Sequence, residues 1–451
     1  METKRLSYAQ NEIMNLEQYY ENTSINNIAG IIYIPDTYTY KEINEALNVL
    51  VKKNESYRLN IKKIGNKYSQ IVSDYKSVNY EYIDFYNKKQ MYKDWIKDQA
   101  NSNIFALDKE LYTFKILTLP SGYKGIFLKQ HHLISDGWSM TLVIDFLKNE
   151  LINHGNSEVS QSYIKTIDNE IIYENSKKLI KDEYFWNEKI EKLNNNGMFS
   201  ESGIKAESKR ASFNLDEKQS YKIGSFCSEN KVSISNLFSA AVLLIKKSIT
   251  NSNINSIGTM VHNRNTKEEK ITTGLFSRVL PLIVEISDDL TVQEFLKLIK
   301  KDSFSLLKHR KYPFYKITEK VQSTKGLLDI IVSFQNTQYD SEFLNCGFSD
   351  EWIEKDTNDA PLSISISNRI GDGSLTIDFD YQVEKLNSTK IEILHKRIIN
   401  VIKQILDNVY KKIGDIKLYS EEEKELVLNT FNNTKTNSTS NETVIEVFEN
   451  Q

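Results

Sequence analysis

The 451-residue sequence contains little cysteine, proline or histidine, and it has no long apolar run. Its two cysteines, Cys227 and Cys346, are too few for a disulfide framework, and we interpret both as reduced thiols without a function. No stretch is long enough to span a bilayer, and the N-terminus lacks the apolar region of a signal peptide. The formal net charge of −3 carries no signature of nucleic-acid or membrane binding. These absences predict a soluble cytoplasmic protein without nucleic-acid or membrane partners.

Two of the six histidines stand side by side in the stretch 130–139, which reads QHHLISDGWS. Residues 124–130 alternate in part and follow a Pro-Ser-Gly turn, a pattern that predicts a strand. Residues 140–152 carry apolar side chains at helical spacing, and Ser135 and Asp136 are candidate N-caps for that helix. The pattern therefore predicts histidines at a strand end, facing the N-terminus of a helix.

This arrangement suits acyl transfer. A histidine with a near-neutral pKa can accept a proton from an attacking nucleophile. Backbone N–H groups at a helix start can stabilise an oxyanion, and Gly137 lets a carbonyl oxygen approach the backbone closely. No metal site is predicted, because no further His, Cys or carboxylate set has ligand spacing. A His-His pair alone would favour two core histidines, but the full pattern HHxxxDG between strand and helix favours a catalytic site.

The string HHLISDGWS at 131–139 resembles the active-site motif of condensation domains in nonribosomal peptide synthetases. That family belongs to a superfamily with chloramphenicol acetyltransferase. Further segments resemble other motifs of the family in the same order, namely residues 7–10, 53–59, 162–176, 274–281 and 309–314. The resemblance covers nearly the whole chain. It implies an α+β fold, in which two chloramphenicol acetyltransferase-like lobes form a V-shaped pseudo-dimer with a central tunnel.

The length indicates two domains of similar size, and the second half repeats the order strand, loop, helix without the HHxxxDG motif. We therefore expect an N-terminal lobe over 1–176 that carries the active-site motif. A degenerate C-terminal lobe is expected over 177–419, with a floor loop near 274–281. Residues 420–451 are expected to be a polar linker followed by the start of an adenylation domain, whose first helix the last residues resemble.

The resemblance implies a role for each residue of the motif. His132 is the expected catalytic residue, which accepts a proton from the acceptor amine or positions that amine, and His131 precedes it in the motif. The N–H of Gly137 is the candidate oxyanion donor. Asp136 is expected to be structural, because the family carries an ion pair that corresponds here to Asp136 and Arg58, and this pair would fix the histidine loop.

Five further residues are candidates for substrate binding. They are Trp138, Ser139, Phe276, Ser277 and Arg278. The first two end the HHxxxDG motif, and the other three lie in a segment that resembles the floor of the reaction tunnel. Ser277 and Arg278 depart from the usual Gly-x-Phe-Val-Asn-Thr pattern of that segment. Arg278 is compatible with an anionic or polar donor and equally with a local ion pair.

The implied reaction is peptide-bond formation between two carrier-bound substrates. The donor is an acyl or aminoacyl thioester, and the acceptor is an aminoacyl thioester whose α-amine attacks. Both are carried on the 4′-phosphopantetheine of peptidyl carrier proteins, and the domain itself is expected to bind no cofactor. The expected partners are these donor and acceptor carriers and the adenylation domain in the same chain. Because the first motif begins at residue 7, starter and elongation types both remain open.

Alternatives of two kinds remain beside this prediction. An epimerisation domain or a free CoA-dependent acyltransferase could carry the same motif, although the adenylation-like tail argues against both. Heterocyclising relatives replace the two histidines with Asp, so His131 and His132 exclude them. A different class is a non-catalytic platform that recruits carriers or tailoring enzymes, but such relatives usually have a broken HHxxxDG motif. The intact motif favours catalysis.

Overall fold

The computed structural model describes residues 3–153, 161–193, 197–199, 205–321, 326–335, 347–368, 373–425, 428 and 444–449. The strands are β1 (Lys4–Arg5), β2 (Asn27–Ile34), β3 (Leu59–Ile64), β4 (Lys67–Val72), β5 (Tyr82–Asp84), β6 (Tyr112–Thr118), β7 (Lys124–His131), β8 (Ser208–Leu215), β9 (Ile254–Val261), β10 (Arg278–Glu285), β11 (Ile330–Gln335), β12 (Ser349–Trp352), β13 (Leu362–Ser367) and β14 (Leu375–Gln382). The helices are α1 (Tyr8–Tyr19), α2 (Tyr40–Lys53), α3 (Lys89–Asn101), α4 (Gly137–Asn153), α5 (Lys165–Glu174), α6 (Lys177–Glu191), α7 (Glu217–Glu229), α8 (Ile234–Thr250), α9 (Lys267–Ile271), α10 (Val292–Lys308), α11 (Phe314–Thr318), α12 (Ser388–Asp407), α13 (Glu421–Glu425) and α14 (Val444–Glu449). Short 3-10 turns cover Glu55–Arg58, His132–Ile134 and Ile413–Asp415.

The sheet of the first half has five strands in the order β12-β2-β7-β6-β5. Strand β7 lies at its centre, antiparallel to both β2 and β6. Nearly every residue of β2 and β7 is buried, because α2 and α4 cover one face of the sheet and α3 covers the other. The strand and the helix predicted on either side of the two histidines are therefore confirmed as β7 and α4. The buried apolar faces of β7 and α4 hold both elements in place. The position of the histidine loop between them follows from this packing.

The sheet of the second half has six strands in the order β10-β9-β11-β13-β14-β8. Its pairs are antiparallel except where β11 runs parallel to β9 and to β13. Helix α8 packs against this sheet and against α10 and α12, and residues 237–246 of α8 are all buried. Helices packed on mixed and antiparallel sheets confirm the predicted α+β class, and two such layers are consistent with the predicted pair of lobes.

One segment of the second half belongs to the first sheet. Strand β12 pairs with β2, so that Trp352 lies opposite Gly30. The chain then runs back to the second sheet, where the N–H of Ser208 donates to the carbonyl oxygen of Asp356 at 2.9 Å. We call residues 353–358 the crossover strap. The predicted lobe boundary between residues 176 and 177 stays a prediction. Strand β12 is an exception to it, because it lies in the second half of the sequence but belongs to the first sheet.

The predicted tail is described only in part. Residues 421–425 form α13, whose Glu423 makes an ion pair with Arg397 on α12, while residues 429–443 of the predicted linker lie outside the described residues. Residues 444–449, within the segment that resembles an adenylation domain, form the short helix α14. Among the described residues, no single helix is long and apolar enough to cross a membrane, and only α7 with α8, bent by 100°, passes that test as a pair.

Candidate active site

His132 begins a 3-10 turn directly after the last residue of β7. Its backbone N–H donates to the carbonyl oxygen of Asn26 at 2.8 Å, which fixes the chain at the end of the strand. Its ring nitrogen Nδ1 lies 3.2 Å from the carbonyl oxygen of Ser135. A carbonyl oxygen only accepts hydrogen bonds, so Nδ1 carries the proton and Nε2 carries the lone pair. Among the described residues, Nε2 has no hydrogen-bond partner.

The surroundings of His132 keep its imidazole neutral. Burial, the nearby Lys355 and the adjacent His131 lower the pKa of His132 to about 3, against a smaller opposing effect of Asp136. The side chain nevertheless retains partial exposure to solvent. His132 therefore presents a free imidazole lone pair at neutral pH, as a proton acceptor requires, but it holds a captured proton only weakly.

His131 has both ring nitrogens occupied by the protein. Its Nδ1 accepts from the N–H of Leu133 at 3.1 Å, so its Nε2 carries the proton and donates to Glu17 at 3.1 Å. Glu17 is buried and also accepts from the side chain of Asn26 at 2.8 Å. Burial lowers the pKa of His131, against the opposing effect of Glu17. These contacts make His131 a positioning residue, which fixes the turn that carries His132.

Asp136 lies at the start of α4 and is completely buried. Its Oδ1 accepts from the N–H of Ser139 at 2.8 Å, an N-cap contact that confirms one of the two predicted caps. Its Oδ2 accepts from the N–H groups of Phe276 and Ser277, both at 3.0 Å. Burial alone would raise the pKa of Asp136, but the Arg264 guanidinium and these backbone N–H groups hold it below its usual value. Asp136 thus joins the histidine loop to the second half of the chain.

The predicted ion pair between Asp136 and Arg58 is wrong. Arg264 is the partner, with Nη2 at 2.9 Å from Oδ1 of Asp136. Arg58 ends the 3-10 turn that leads into β3, and this path directs its side chain to the carbonyl oxygen of Ser73 at 3.3 Å. The neighbouring residue Ser56 does reach the second half, where its hydroxyl lies 2.7 Å from that of Thr273.

Arg264 is the centre of the contact between the two halves. Its Nη1 donates to the carbonyl oxygens of Glu269 and Thr272, at 2.7 and 2.6 Å. Its Nη2 donates to Asp136 and to the hydroxyl of Ser139, both at 2.9 Å. The guanidinium also stacks over the ring of Phe276, with 4.0 Å between its carbon and the ring centroid. The planar guanidinium has donors in fixed directions, so it reaches all of these acceptors at once. The ammonium of a lysine would not.

Three of the five predicted substrate-binding residues are buried in this contact. The hydroxyl of Ser139 donates to the carbonyl oxygen of Gly274 at 2.7 Å. The ring of Phe276 packs edge-on against Tyr163, with 5.4 Å between the centroids. Arg278 makes an ion pair with Glu12 on α1 and donates to two further backbone carbonyls. Their side chains therefore hold the two halves together, and Arg278 makes the local ion pair that was one of its two expected roles. Substrate binding by these three residues stays a prediction.

Trp138 and Ser277 remain candidates for substrate contact. The indole N–H of Trp138 donates to the carbonyl oxygen of Lys270 at 2.8 Å, and its ring lies 5.8 Å from that of His262. Even so, 38% of Trp138 is exposed. Ser277 is partly exposed next to Asp136. Gly137 is exposed at the first turn of α4, and nothing lies within 4 Å of where a Cβ would stand.

Gly274 requires a glycine for two reasons. Its φ is +147°, and an added Cβ would lie 2.2 Å from Cδ2 of Tyr163. We expect Gly274→Ala to cost about 2–4 kcal/mol of stability, through backbone strain and overlap with the ring. Gly224 on α7 is the matched control, because its position is open, and Gly224→Ala is expected to be neutral or to stabilise by about 0.5–1 kcal/mol. Thermal unfolding monitored by circular dichroism measures the stability of both variants. Equal melting temperatures for Gly274→Ala and Gly224→Ala would contradict the requirement for glycine at position 274.

Arg264, Glu17 and Glu12 are site residues that were not predicted from the sequence. Arg264 lies in the polar run His-Asn-Arg-Asn that directly follows the buried strand β9. A polar run at the end of a core strand is a signal for residues that form a site or a contact. Glu17 and Glu12 lie on α1, where acidic residues of an amphipathic helix are normally solvated, so the pattern carried no signal for them.

A model of the condensation domain family matches residues 2–428 of this chain. The chain belongs to that family. Condensation domains of nonribosomal peptide synthetases catalyse peptide-bond formation, so the chain is an enzyme domain of the acyltransferase type. The HHxxxDG motif thus lies in a chain of the family that this motif predicted.

The relatives agree with this assignment, and a solved structure agrees with the fold. The chain is 27% identical over 441 residues to surfactin synthase subunit 1 of Bacillus subtilis, covering 94% of the chain. It is 22% identical over 461 residues to bacitracin synthase 2 of Bacillus licheniformis, covering 99% of the chain. The chain spans only 12% and 17% of the lengths of these two proteins. The fold matches the starter condensation domain of rhizomide synthetase with a TM-score of 0.80 at 17% identity, covering 92% of this chain and 97% of that one.

Proposed function

We propose that this condensation domain joins a carrier-bound acyl or aminoacyl thioester to the α-amine of a carrier-bound aminoacyl thioester, with His132 as the catalytic residue. In this proposal, both substrates are carried on phosphopantetheine, the domain binds no cofactor, and an adenylation domain follows in the same cytoplasmic synthetase. The observation that carries the proposal is the neutral His132, whose Nδ1–H is held by Ser135 while its Nε2 has no hydrogen-bond partner among the described residues.

The proposed reaction balances without an external reagent. The amine nitrogen attacks the thioester carbon, so a C–N bond forms and the C–S bond breaks. The proton that the nitrogen loses finally resides on the released phosphopantetheine thiol. An α-amine with a pKa near 8 is partly neutral before attack, so a strong base is not needed for the first step. In the second step the imidazole of His132 accepts the proton from the adduct and passes it on to the thiolate, so it holds the proton only between the two transfers.

The neighbours of His132 have supporting roles in this proposal. The N–H of Gly137 is the candidate donor to the oxyanion, since it lies at the start of α4 in an exposed position. Asp136 does not act as a base, because all its contacts bind structural partners. Orientation of the two thioesters would contribute much of the remaining rate gain.

Intact-mass spectrometry tests the proposal. An acceptor carrier loaded with an amino acid is mixed with the domain and with a panel of donor carriers that hold either fatty acyl or aminoacyl groups. We expect the acceptor to gain the mass of one donor group, and the donor that works separates starter from elongation use. No gain with any donor, in a folded protein that binds a carrier, would instead favour a non-catalytic recruitment platform.

A further inference from the structure

The segment 7–10, which resembles the first motif of the family, has no part in the reaction proposed above. It begins helix α1 with a capping box. The hydroxyl of Ser7 accepts from the N–H of Gln10 at 3.1 Å, and Oε1 of Gln10 accepts from the N–H of Ser7 at 2.9 Å. A capping box does not require burial, yet Gln10 is completely buried. Helix capping alone therefore does not account for this glutamine.

The side-chain amide of Gln10 is bound on both sides. Its Nε2 donates to the carbonyl oxygen of Leu133 and to Oε1 of Gln70, both at 3.0 Å. Its Oε1 accepts from Nε2 of Gln70 at 2.7 Å, in addition to the N–H of Ser7. Because a carbonyl oxygen faces one end of the amide and a backbone N–H faces the other, the orientation of the amide is determined. Gln10 thus holds Leu133 from a side chain that is itself fixed.

Leu133 belongs to the 3-10 turn that begins at His132. The imidazole of His132 is bound within the same turn, because its Nδ1–H donates to the carbonyl oxygen of Ser135 at 3.2 Å. The N–H of Ser135 in turn donates to the carbonyl oxygen of His132 at 3.3 Å. The imidazole therefore moves with the turn, and Gln10 binds the turn one residue after the histidine.

The same segment also contacts the second half of the chain. The hydroxyl of Ser7 lies 3.3 Å from that of Tyr163, which donates to the carbonyl oxygen of Leu275 at 2.8 Å. Leu275 directly precedes the two residues whose N–H groups bind Asp136. The histidine loop is thus bound at Leu133 and at Asp136, and buried hydrogen bonds through residues 7–10 connect the two points.

Buried amides are an expensive way to fill this face of α1. Met14, one turn after Gln10 on the same face, fills its own position with an apolar side chain. Burying an amide costs free energy that only hydrogen bonds recover, so an apolar residue would serve the core at least as well. A fully satisfied polar network instead provides fixed directions. The direction that Gln10 fixes is that of the carbonyl of Leu133.

We propose that Gln10 is a positioning residue, which holds the turn after β7 so that Nε2 of His132 stays directed at the acceptor amine. Gln10 touches no reacting atom in this proposal and acts only through the turn. The effect on the rate rests on the proposed function of His132. The effect on the turn does not, because it is a property of the free domain.

A kinetic double-mutant cycle tests whether Gln10 acts through His132. We expect Gln10→Met to lower kcat for amide formation about 10- to 100-fold with the KM for both carriers unchanged, because a displacement of about 1 Å can cost about 100-fold. In the His132→Ala background, the same substitution should lower the remaining rate less than about twofold, because the imidazole that it positions is gone. A purely structural defect would lower the rate by the same factor in both backgrounds.

Gln70→Met is the matched control. It removes the amide pair with Gln10 and a bond of 2.9 Å to the carbonyl oxygen of Arg5, but it keeps the bond between Gln10 and Leu133. We expect a lower melting temperature with kcat close to that of the wild type. If Gln10→Met does not fold, Gln10→Asn decides in the same cycle, because its amide is one methylene too short to reach Leu133.

Hydrogen exchange reports on the turn without any substrate. We expect the peptide that contains Leu133 and Ser135 to exchange about two- to tenfold faster in Gln10→Met, as the loss of one hydrogen bond predicts. Gln70→Met should leave this exchange unchanged. Mass spectrometry of peptic fragments after labelling in deuterated water measures both variants.

An unchanged kcat in a folded variant of Gln10 would overturn the proposal. Equal rate losses in the two backgrounds, an equal loss in Gln70→Met or unchanged exchange of the turn would overturn it as well. The proposed function fails in a different way, namely if His132→Ala keeps the full rate. Faster exchange in Gln10→Met alone would in that case still support the role of Gln10 in holding the turn.

Discussion

Replacing His132 with alanine is expected to slow amide formation at least about 100-fold, at the lower end of what a positioned proton acceptor contributes. The variant should fold normally, because within the described residues the side chain makes one hydrogen bond, to the carbonyl of Ser135, and its backbone contact with Asn26 is kept. The measurement is the rate of product formation on the acceptor carrier by intact mass, at saturating donor and acceptor. A thermal melt of the same sample checks the fold.

Variants of two other histidines distinguish a catalytic effect from a structural one. His262 lies on the second half, exposed beside Trp138, and His262→Ala is the matched control with little effect expected on rate. His131→Ala would leave the buried Glu17 without its imidazole partner, so its main effect should be a lower melting temperature. If folded His132→Ala retained the full rate, or if His262→Ala lost as much, the assignment of the catalytic residue would be wrong.

The local part of this site could be predicted from sequence. Strand β7, the turn that begins at His132 and helix α4 follow each other within 30 residues, and each has its own signal in apolar spacing or N-capping. A buried strand leading into a buried helix leaves few choices for the loop between them. The geometry around His132 therefore follows from residues that are neighbours in sequence.

The contacts between the halves could not be predicted in the same way. Asp136 and Arg264 are 128 residues apart, and no periodic pattern relates them. The resemblance pointed to Arg58, but the 3-10 turn at Glu55–Arg58 directs its side chain towards Ser73. A pattern identifies a buried charge that needs a partner, whereas the partner depends on the packing of the whole fold.

The partner of Asp136 can be decided by experiment. Arg264→Met is expected to cost about 3–5 kcal/mol, because it leaves a fully buried carboxylate with only backbone donors. Arg264→Lys should recover little of this, since an ammonium cannot reach the same acceptors on both sides. Arg58→Met is the matched control, and we expect it to cost less than about 1 kcal/mol, because Arg58 is half-buried with one long bond to a carbonyl. Denaturant and thermal midpoints of the three variants provide the comparison.

A double-mutant cycle separates the ion pair from the other contacts of Arg264. Asp136→Asn removes the negative charge but keeps a side-chain oxygen for the N–H of Ser139. If the two residues are partners, Arg264→Met should cost about 1–3 kcal/mol less in the Asp136→Asn background than in the wild type, because no buried charge is then left behind. The same cycle with Arg58→Met should be additive. Additivity with Arg264 and coupling with Arg58 would restore the pairing that the sequence suggested, and the charge of Asp136 would then be neutralised within the first half rather than from the loop after β9.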